Sequence, residues 1–449
     1  MAKTLTEGSP ARLIFAFTMP LILGNIFQQL YAFVDTLLVG RFLGVDALAS
    51  VGCTGSVLFL ITGFVIGLTT GLSIYTGQRF GARDAAGVRQ SAAACFCICV
   101  GISIILTVLG SLLVRPILLL MQTPPEIIEG AVAFLRPVFL LTVCTVALMM
   151  QTNLLRALGD SQRPTIILAV AISINIAMEA FFLLVLQWGV WGAGLAMVLS
   201  QGIGALIALG YIALRVPLLH PRREDFCLTW HIIWEHLRIG LPMGFQASII
   251  AIGAVILQVA LNGLGPVAIA AYAAAQKVDT IAMMPMMSFG TAMAAYTAQN
   301  FGARKFDRIR KGVRQCIYMS VGFSLVAGAL IIWAAPFLMQ LFVSAKETEV
   351  IAGGSLYLTV NGLTYWILSL LFIFRFTLQG LGQSVAPTIA GVMELFMRST
   401  AGIVLVQWLG LLGACLGNPM AWLGSCLPLL IAYTWTVRKF PVMVKNPEI

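Results

Sequence analysis

The chain has 449 residues, of which 60% are hydrophobic and only 10% are charged, and its mean hydropathy is +0.97. A soluble globular protein carries about 25% charged residues, so this composition excludes that class and indicates a polytopic helical membrane protein. The net charge of +10 does not indicate nucleic-acid binding, because the basic residues concentrate in alternate loops, as the positive-inside rule expects.

Apolar runs separated by short polar gaps predict an all-α fold with twelve transmembrane helices. The predicted spans are 13–38, 51–76, 91–114, 131–155, 165–187, 191–214, 239–262, 267–297, 315–335, 352–378, 386–408 and 412–437. On the side of the membrane opposite the N-terminus, the basic loop residues are only Arg41, Arg115, Arg136 and Lys346. Most of the other basic residues lie in loops on the side of the N-terminus. This imbalance predicts a multi-pass protein of a bacterial-type cytoplasmic (inner) membrane with both termini in the cytoplasm.

The sequence also contains an internal repeat. The segment Gln78–Arg83 (QRFGAR) recurs 221 residues later as Gln299–Arg304 (QNFGAR), and Pro20 corresponds to Pro242 in the same order. Such a repeat predicts two six-helix bundles of equal orientation around a central cleft, a geometry suited to alternating access. We expect an N-terminal bundle over 1–215, a cytoplasmic linker over 216–238 and a C-terminal bundle over 239–449.

Two acidic residues lie within the spans of the first half. Asp35 is the single formal charge between Arg12 and Arg41, and Glu179 lies in the fifth span with Asn175 on the same helical face four residues earlier. A carboxylate in the membrane is costly and is by default a functional-site hypothesis. A close pair of acids titrates as a unit and can hold a proton, or a small cation with Asn175 as a neutral oxygen ligand.

An alternative is that each acid makes only a structural polar contact between helices. In the second half, however, the counterparts of Asp35 are Ile256 or Leu257, and those of Glu179 are Thr400–Gly402. A residue required for packing would be expected in both halves, whereas an ion site is needed only once. We therefore expect a site for a coupling ion in the first half and no other metal site.

Other residues of the spans suggest more specific roles. Pro20 can permit a bend in the first helix that changes with ion binding, or it can impose a fixed kink. In the second half, Glu394 and Arg398 are four residues apart and are expected to pair locally. Arg375 can serve the same network or face the cytoplasmic cavity, whereas Lys277 and Asp279 receive no specific role. Tyr31, Gln246, Met284 and Met287 are the residues expected to line a substrate cavity.

The sequence contains no P-loop, no GxSxG elbow, no HExxH motif and no cysteine metal cluster. We therefore expect a protein that is not an enzyme, has no cofactor and takes its energy from an ion gradient. The expected partners are small cationic or amphipathic molecules and the lipid bilayer, without nucleic acid, and the expected state is a monomer.

Three motifs together resemble the multidrug and toxic compound extrusion (MATE) family over nearly the whole chain. They are the proline-containing first helix that ends in Tyr31–Thr36 (YAFVDT), the Phe-Gly-Ala-Arg motif after spans two and eight, and Arg156–Asp160 (RALGD) after span four. The resemblance implies an exporter that exchanges Na⁺ or H⁺ for cationic, amphipathic compounds and drugs by alternating access.

Within the family the chain is most similar to the DinF-like branch. That likeness implies a cation site on Asp35, Asn175 and Glu179. Two departures bear on the ion: the branch usually has Asp where this chain has Glu179, and Met197 replaces a hydroxyl ligand of some relatives. Loss of a hydroxyl oxygen weakens a Na⁺ cage, so a proton is favoured over Na⁺.

Two further functions compete with drug export. A flippase for lipid-linked precursors, from the same superfamily, would be expected to line its cleft with several cationic residues, and these spans contain few. A membrane receptor or scaffold that transports nothing would have no use for the costly buried acids Asp35 and Glu179.

Overall fold

The structure is a computed structural model that describes residues 4–121 and 123–445, and within these ranges it is built from helices without any strand. The helices are α1 (Pro10–Leu43), α2 (Val45–Gly81), α3 (Ala85–Leu120), α4 (Pro125–Leu140), α5 (Thr142–Ala157), α6 (Gln162–Leu184), α7 (Gly189–Arg215), α8 (Trp230–Asn262), α9 (Pro266–Gly302), α10 (Phe306–Gln340), α11 (Thr348–Gly362), α12 (Tyr365–Gly380), α13 (Val385–Thr400), α14 (Val406–Leu409), α15 (Leu411–Cys415) and α16 (Gly417–Lys445). Two 3₁₀ turns, Pro217–Leu219 and Arg223–Phe226, follow α7, and a π-helical turn, Ala401–Leu405, joins α13 to α14.

Most of the predicted spans correspond to single helices. In the part of the chain that the structure describes, nine helices are long and apolar enough to cross a bilayer, and two bent pairs bring the number up to eleven. The pairs are α4 with α5, bent by 53°, and α11 with α12, bent by 49°. The remaining predicted span is α9, whose 37 residues exceed the length that a bilayer requires.

The chain divides into two compact units. Unit 1 contains Met19–Gly240, and unit 2 contains Leu5–Thr18 together with the chain from Leu241 onward. The segment expected to be a separate linker, residues 216–238, therefore packs as part of unit 1. An ion pair between Arg89 Nε and Asp225 Oδ2, at 3.3 Å, helps to hold this segment on α3.

The N-terminal residues that precede α1 pack within unit 2. The backbone N–H of Leu5 donates to Gln299 Oε1 at 2.8 Å, and Arg308 Nη1 donates to the carbonyl of Gly8 at 2.9 Å. Thus α1 and α8 each contribute residues to both units, and the change of unit falls beside Pro20 in α1 and beside Pro242 in α8.

The internal repeat is visible in local geometry. Helices α2 and α9 are both followed by a left-handed residue, Arg83 with φ 60° and Arg304 with φ 55°. At each end the next backbone N–H donates to a carbonyl of the last helical turn, from Asp84 to Arg79 at 3.1 Å and from Lys305 to Asn300 at 2.8 Å. These are Schellman caps, and they explain why the Phe-Gly-Ala-Arg motif occurs at the same place in both halves.

Candidate functional site: a carboxyl pair in unit 1

The three residues predicted to hold the coupling ion lie together in unit 1. Asp35 is in α1, one turn from Tyr31, whereas Asn175 and Glu179 project from one face of α6. Glu179 is 1% exposed and Asn175 is 4% exposed, while Asp35 is half-buried. The Asp35 and Glu179 carboxyl groups are neighbours in this site and interact electrostatically.

Two oxygen atoms of this site have no hydrogen-bond donor among the described residues. They are Glu179 Oε1 and Asn175 Oδ1, and both atoms are buried. Most buried polar atoms in proteins have a hydrogen-bond partner, so these two are exceptional. Both atoms are acceptors, and the group that satisfies them must therefore be a proton donor or a cation.

Tyr31 belongs to the carboxyl site as well as to the predicted substrate cavity. Its hydroxyl donates a long hydrogen bond of 3.4 Å to Asp35 Oδ1. A phenol in this position can stabilise the ionised form of Asp35 or adjust to its protonated form.

Ser200 is a further member of the site that was not predicted from the sequence. Asn175 Nδ2 donates to Ser200 Oγ at 3.0 Å, and Ser200 donates in turn to the Met197 carbonyl at 2.9 Å. The Ser200 hydroxyl thus holds the Asn175 amide in place, and in the described residues it forms no hydrogen bond with Asp35 or Glu179. The signal in the sequence was the serine itself, a small polar residue in an apolar helix.

The carboxyl pair has no neutralising cation within residues 4–121 and 123–445. In these ranges neither Asp35 nor Glu179 forms an ion pair with a lysine or an arginine. In a medium of low dielectric constant two adjacent carboxylates cannot both remain ionised without a compensating positive charge. The arrangement can therefore bind and release a proton or a small cation.

Unit 2 also contains a buried acid, but its surroundings are different. Asp279 in α9 is 1% exposed and accepts hydrogen bonds from Tyr357 at 2.9 Å and from Tyr365 at 2.6 Å. Asn418 Nδ2 donates to the Tyr357 hydroxyl at 3.0 Å and so extends the network to α16. Asp279 received no role from its position in the sequence, whereas in the structure it is the centre of a polar network that joins four helices.

The predicted pair of Glu394 with Arg398 is wrong in its partner. The buried Glu394 carboxylate forms its ion pair with Arg375 of the neighbouring helix α12. Arg398 is not an ion-pair partner of any residue in the described ranges, and its Nε atom is buried without a hydrogen bond. Helical spacing showed that Glu394 and Arg398 could meet, but it could not show that α12 brings a second arginine closer.

Gln246, which was expected in the substrate cavity, is already engaged by neighbouring helices of unit 2. It is 5% exposed, its Nε2 donates to the Pro387 carbonyl at 2.8 Å, and its Oε1 accepts from Gln379 at 3.0 Å. Both ends of its amide thus have protein partners. Of the two methionines predicted with it, Met284 is half-buried and Met287 is exposed.

Pro20 lies inside α1, which continues as one helix on both sides of it. Its carbonyl accepts a hydrogen bond from Thr165 Oγ1 of α6 at 3.1 Å. This bond links the proline-containing part of α1 to the helix that carries Asn175 and Glu179.

At the place in unit 2 that the repeat relates to the carboxyl pair, the structure has an apolar recess of about 470 Å³. Its lining residues are Val255, Ile256, Val259, Ala260, Gly263, Gly402, Ile403, Val406 and Gln407. Ile256 and Gly402 are among the positions that correspond to Asp35 and Glu179. The two halves therefore share a scaffold but differ in chemistry at this position.

A family model described as MatE matches residues 20–181 and 242–400, which is most of both halves of the chain. The chain belongs to the MatE family. The two matched segments fall in the two halves of the repeat, as the prediction from the sequence required.

Curated relatives of the MatE chain agree with this assignment. It is 28% identical to the probable multidrug resistance protein YoeA of Bacillus subtilis, over 97% of this chain and 96% of the relative. It is 27% identical to the probable multidrug resistance protein YpnP of the same organism, over 97% of both chains. The prediction that the chain resembles the MATE family is thus confirmed.

Solved structures extend the likeness to the fold. An outward-facing multidrug resistance MATE family transporter of the MOP superfamily superposes with a TM-score of 0.89 over 98% of both chains, at 22% identity. These structural neighbours have twelve transmembrane helices in two bundles, and the predicted all-α fold class of this MatE protein is confirmed. The chain is therefore a multi-pass membrane protein of a multidrug efflux transporter family.

Proposed function

We propose that this MatE protein is a secondary antiporter that exports cationic or amphipathic organic compounds from the cytoplasm. The coupling ion is H⁺, with Na⁺ as the second candidate, and it binds at Asp35, Asn175 and Glu179. Transport proceeds by alternating access in an inner membrane, with both termini in the cytoplasm and the protein as a monomer.

The observation that carries this proposal is the contrast between the membrane acids of the two units. In unit 2, Glu394 is paired with Arg375 and Asp279 accepts two tyrosine hydroxyl bonds. In unit 1, Asp35 and Glu179 face each other, and no described lysine or arginine pairs with either. Of these acids, the pair in unit 1 has neither a described arginine nor two tyrosine hydroxyls to balance its negative charge, so it needs a positive charge that can bind and leave. A site that binds and releases a cation is what an antiporter requires.

Proton binding at this pair has a direct electrostatic consequence. When one proton joins Asp35 and Glu179, the site carries one negative charge, and loss of that proton leaves two carboxylates in a medium of low dielectric constant. The doubly charged state attracts an organic cation more strongly than the protonated state. Proton entry therefore weakens the hold on a cationic substrate, which is the relation that antiport requires.

The available energy is sufficient for efflux against a gradient. One charge that moves through 100 mV contributes about 2.3 kcal/mol. A tenfold ion ratio adds about 1.4 kcal/mol. Together they can sustain a substrate gradient of several hundredfold, without any hydrolysis of ATP.

The deciding experiment measures ethidium transport in inside-out membrane vesicles under separate proton and sodium gradients. We expect the Asp35→Asn variant to lose gradient-driven transport while it remains folded, because it cannot release a proton from this position. The matched control is Asp46→Asn, an exposed acid at the start of α2, which should transport like the wild type. Full activity of Asp35→Asn under both gradients would refute the mechanism. If the wild type transports ethidium under only one of the two gradients, that gradient identifies the coupling ion.

A further inference from the structure

One face of α10 carries a regular series of exposed residues. They are Lys311, Arg314, Tyr318, Gly322 and Leu325. Their spacing of three or four residues places all five on a single face of the helix. Tyr318 is 69% exposed and Leu325 is 56% exposed, so no other part of the described chain covers this face.

The order of side chains along this face follows the layers of a bilayer leaflet. The two cations come first, the tyrosine follows about one turn later, and the glycine and leucine lie deeper. At 1.5 Å per residue, Lys311 and Leu325 are about 21 Å apart along the helix axis. Lysine and arginine suit the headgroup level, tyrosine the interface, and apolar residues the acyl chains.

The two cations have no acidic partner in the part of the chain that the structure describes. Together with Asp307 and Arg310 they line a surface recess of about 330 Å³. Asp307 lies 3.6 Å from Arg310, so the negative charge in the recess already has a cation beside it. Two positive charges, those of Lys311 and Arg314, remain uncompensated.

The corresponding face of α3 in unit 1 lacks these features. The repeat relates the five residues of α10 to Gln90, Ala93, Cys97, Gly101 and Ile104, which include no cation and no aromatic ring. Next to this face, the contact between Phe96 and Phe226 and the ion pair of Arg89 with Asp225 hold the segment after α7 on α3. By the same offset Arg89 corresponds to Arg310, which has Asp307 beside it, so unit 1 has no counterpart of the exposed cations Lys311 and Arg314.

We propose that the face of α10 from Lys311 to Leu325 binds an anionic phospholipid of the leaflet that faces the cytoplasm. The lipid phosphate lies between Lys311 and Arg314, the Tyr318 ring sits at the glycerol level, and an acyl chain follows the helix past Gly322. A side chain at Gly322 would meet nothing within 4 Å, so the backbone leaves an open notch there. Basic pockets of this kind on the cytoplasmic side of membrane proteins are suited to acidic headgroups.

The general excess of basic residues in cytoplasmic loops does not account for this arrangement. Orientation by the positive-inside rule needs only cations near the ends of spans, in any loop. It does not require them to be aligned with an exposed tyrosine and an open apolar notch on one helix face. This alignment indicates a binding site for one lipid molecule rather than a general attraction of basic residues to the leaflet.

The test measures lipid retention by the detergent-purified full-length protein, using native mass spectrometry with added phosphatidylglycerol or phosphatidylcholine. We expect the wild type to retain phosphatidylglycerol in preference. The Lys311→Gln/Arg314→Gln variant should bind it on the order of twentyfold more weakly, because each cation near a headgroup contributes about fivefold. The matched control, Arg215→Gln/Arg223→Gln, removes the same charge from two exposed residues of unit 1 and should retain the preference.

Two further arms separate a lipid site from an effect of net charge and from a site for free phosphate. The charge-preserving variant Lys311→Arg/Arg314→Lys should bind like the wild type, and millimolar inorganic phosphate should not displace the lipid. Equal losses in the two glutamine variants, or displacement by phosphate alone, would overturn the proposal. The readout is binding rather than transport, so its outcome is independent of the proposed antiport.

Discussion

Glu179 and Glu394 are both buried glutamates of membrane helices, and their neighbours give them different chemistry. Glu394 forms an ion pair with Arg375, so its negative charge is compensated without a bound proton. Glu179 has Asp35 as its titratable neighbour and a buried oxygen without a donor. The same residue type is therefore suited to a structural role in unit 2 and to ion exchange in unit 1.

Ser200 offers a way to distinguish the two candidate ions. Its hydroxyl anchors the Asn175 amide but does not itself contact either carboxyl group in any hydrogen bond of the described residues. For Ser200→Ala we expect proton-driven ethidium transport to fall no more than about tenfold, because one neutral hydrogen bond contributes about 1 kcal/mol. Sodium-driven transport, if the wild type shows any, should fall further, because the Asn175 side-chain oxygen would no longer be held in place as a Na⁺ ligand.

The measurement for Ser200→Ala is the initial rate in vesicles under each gradient separately. Ser173→Ala is a suitable control, since Ser173 is also in α6 but donates only to the Ala169 carbonyl. Complete loss of proton-driven transport in Ser200→Ala, with Ser173→Ala unaffected, would contradict a purely positioning role for the Ser200 hydroxyl.

The ion pair of Glu394 with Arg375 is expected to matter for stability. In Glu394→Gln the Arg375 guanidinium loses its counter-charge while it remains buried, which costs about 3 kcal/mol or more. We therefore expect a clear decrease in the thermal unfolding midpoint of the detergent-purified protein. The exposed Glu349→Gln control in α11 should change stability by no more than about 0.5 kcal/mol.

A second variant separates charge burial from simple loss of packing. Replacing both partners, as Arg375→Met/Glu394→Leu, removes the uncompensated charge and should restore most of the lost stability. If the double variant is as unstable as Glu394→Gln, the pair is not the cause of the defect.

Residues of the carboxyl site could be predicted because charge in an apolar span is conspicuous in sequence. Asp35 and Glu179 are isolated acids, and Asn175 shares a helical face with Glu179, so local periodicity sufficed. The partners of Glu394 and Asp279 could not be predicted, because they depend on how neighbouring helices are rotated. Nothing in the spacing of α13 indicates that Arg375 of α12, rather than Arg398, reaches Glu394.

At the level of the helices, the two prolines of the repeat fall where each helix passes from one unit to the other. Pro20 follows Met19, the first residue of α1 in unit 1, and Pro242 follows Leu241, the first residue of α8 in unit 2. Proline removes one backbone hydrogen bond and so weakens a helix locally. This point in α1 is bonded through Thr165 to α6, the helix that carries Asn175 and Glu179. That α1 bends there in response to ion binding stays a prediction.

The breaks between α4 and α5 and between α11 and α12 were not foreseen, since each pair was predicted as one continuous span. The first break falls at Leu141 and the second at Leu363 and Thr364, and none of these residues is a glycine or proline. Hydropathy reports that a segment is apolar, but it does not report a bend of 53° or 49°. The two breaks fall at corresponding positions of the repeat, so the bend is a feature that both halves of the fold share.

Close packing of α2 in unit 1 provides a prediction about stability. A Cβ atom at Gly71 would lie 2.6 Å from the Gly240 Cα atom, closer than any real contact. We expect Gly71→Ala to destabilise the protein by about 1–3 kcal/mol, because two backbones would be forced apart. Thermal unfolding in detergent measures the effect.

Gly55 in the same helix is the matched control, since a Cβ there would meet nothing within 4 Å. Gly55→Ala should be neutral or should stabilise the protein by about 0.5–1 kcal/mol, through the higher helix propensity of alanine. Equal effects of the two substitutions would show that the approach of Gly71 to Gly240 does not limit stability.

For the whole molecule, the repeat has produced two units with the same helices and different polar contents. Unit 1 carries the uncompensated carboxyl pair, and unit 2 has an apolar recess at the related position. Unit 2 in turn has a buried acid, Asp279, whose two oxygens are both occupied by tyrosine hydroxyls. The division suggests that ion exchange is confined to one unit, although both units contain acids within the membrane.

This division can be tested by measuring proton release when an organic cation binds. With the purified protein in a weakly buffered detergent solution and a pH indicator dye, addition of ethidium to the wild type should release protons. Asp35→Asn should release none, because the carboxyl pair is broken, whereas Asp279→Asn should release as many as the wild type. Asparagine at position 279 keeps an oxygen that can accept from Tyr357 or Tyr365, so the fold should persist, as gel filtration will show. Loss of proton release in Asp279→Asn alone would place the exchange in unit 2 and reverse the assignment of the two halves.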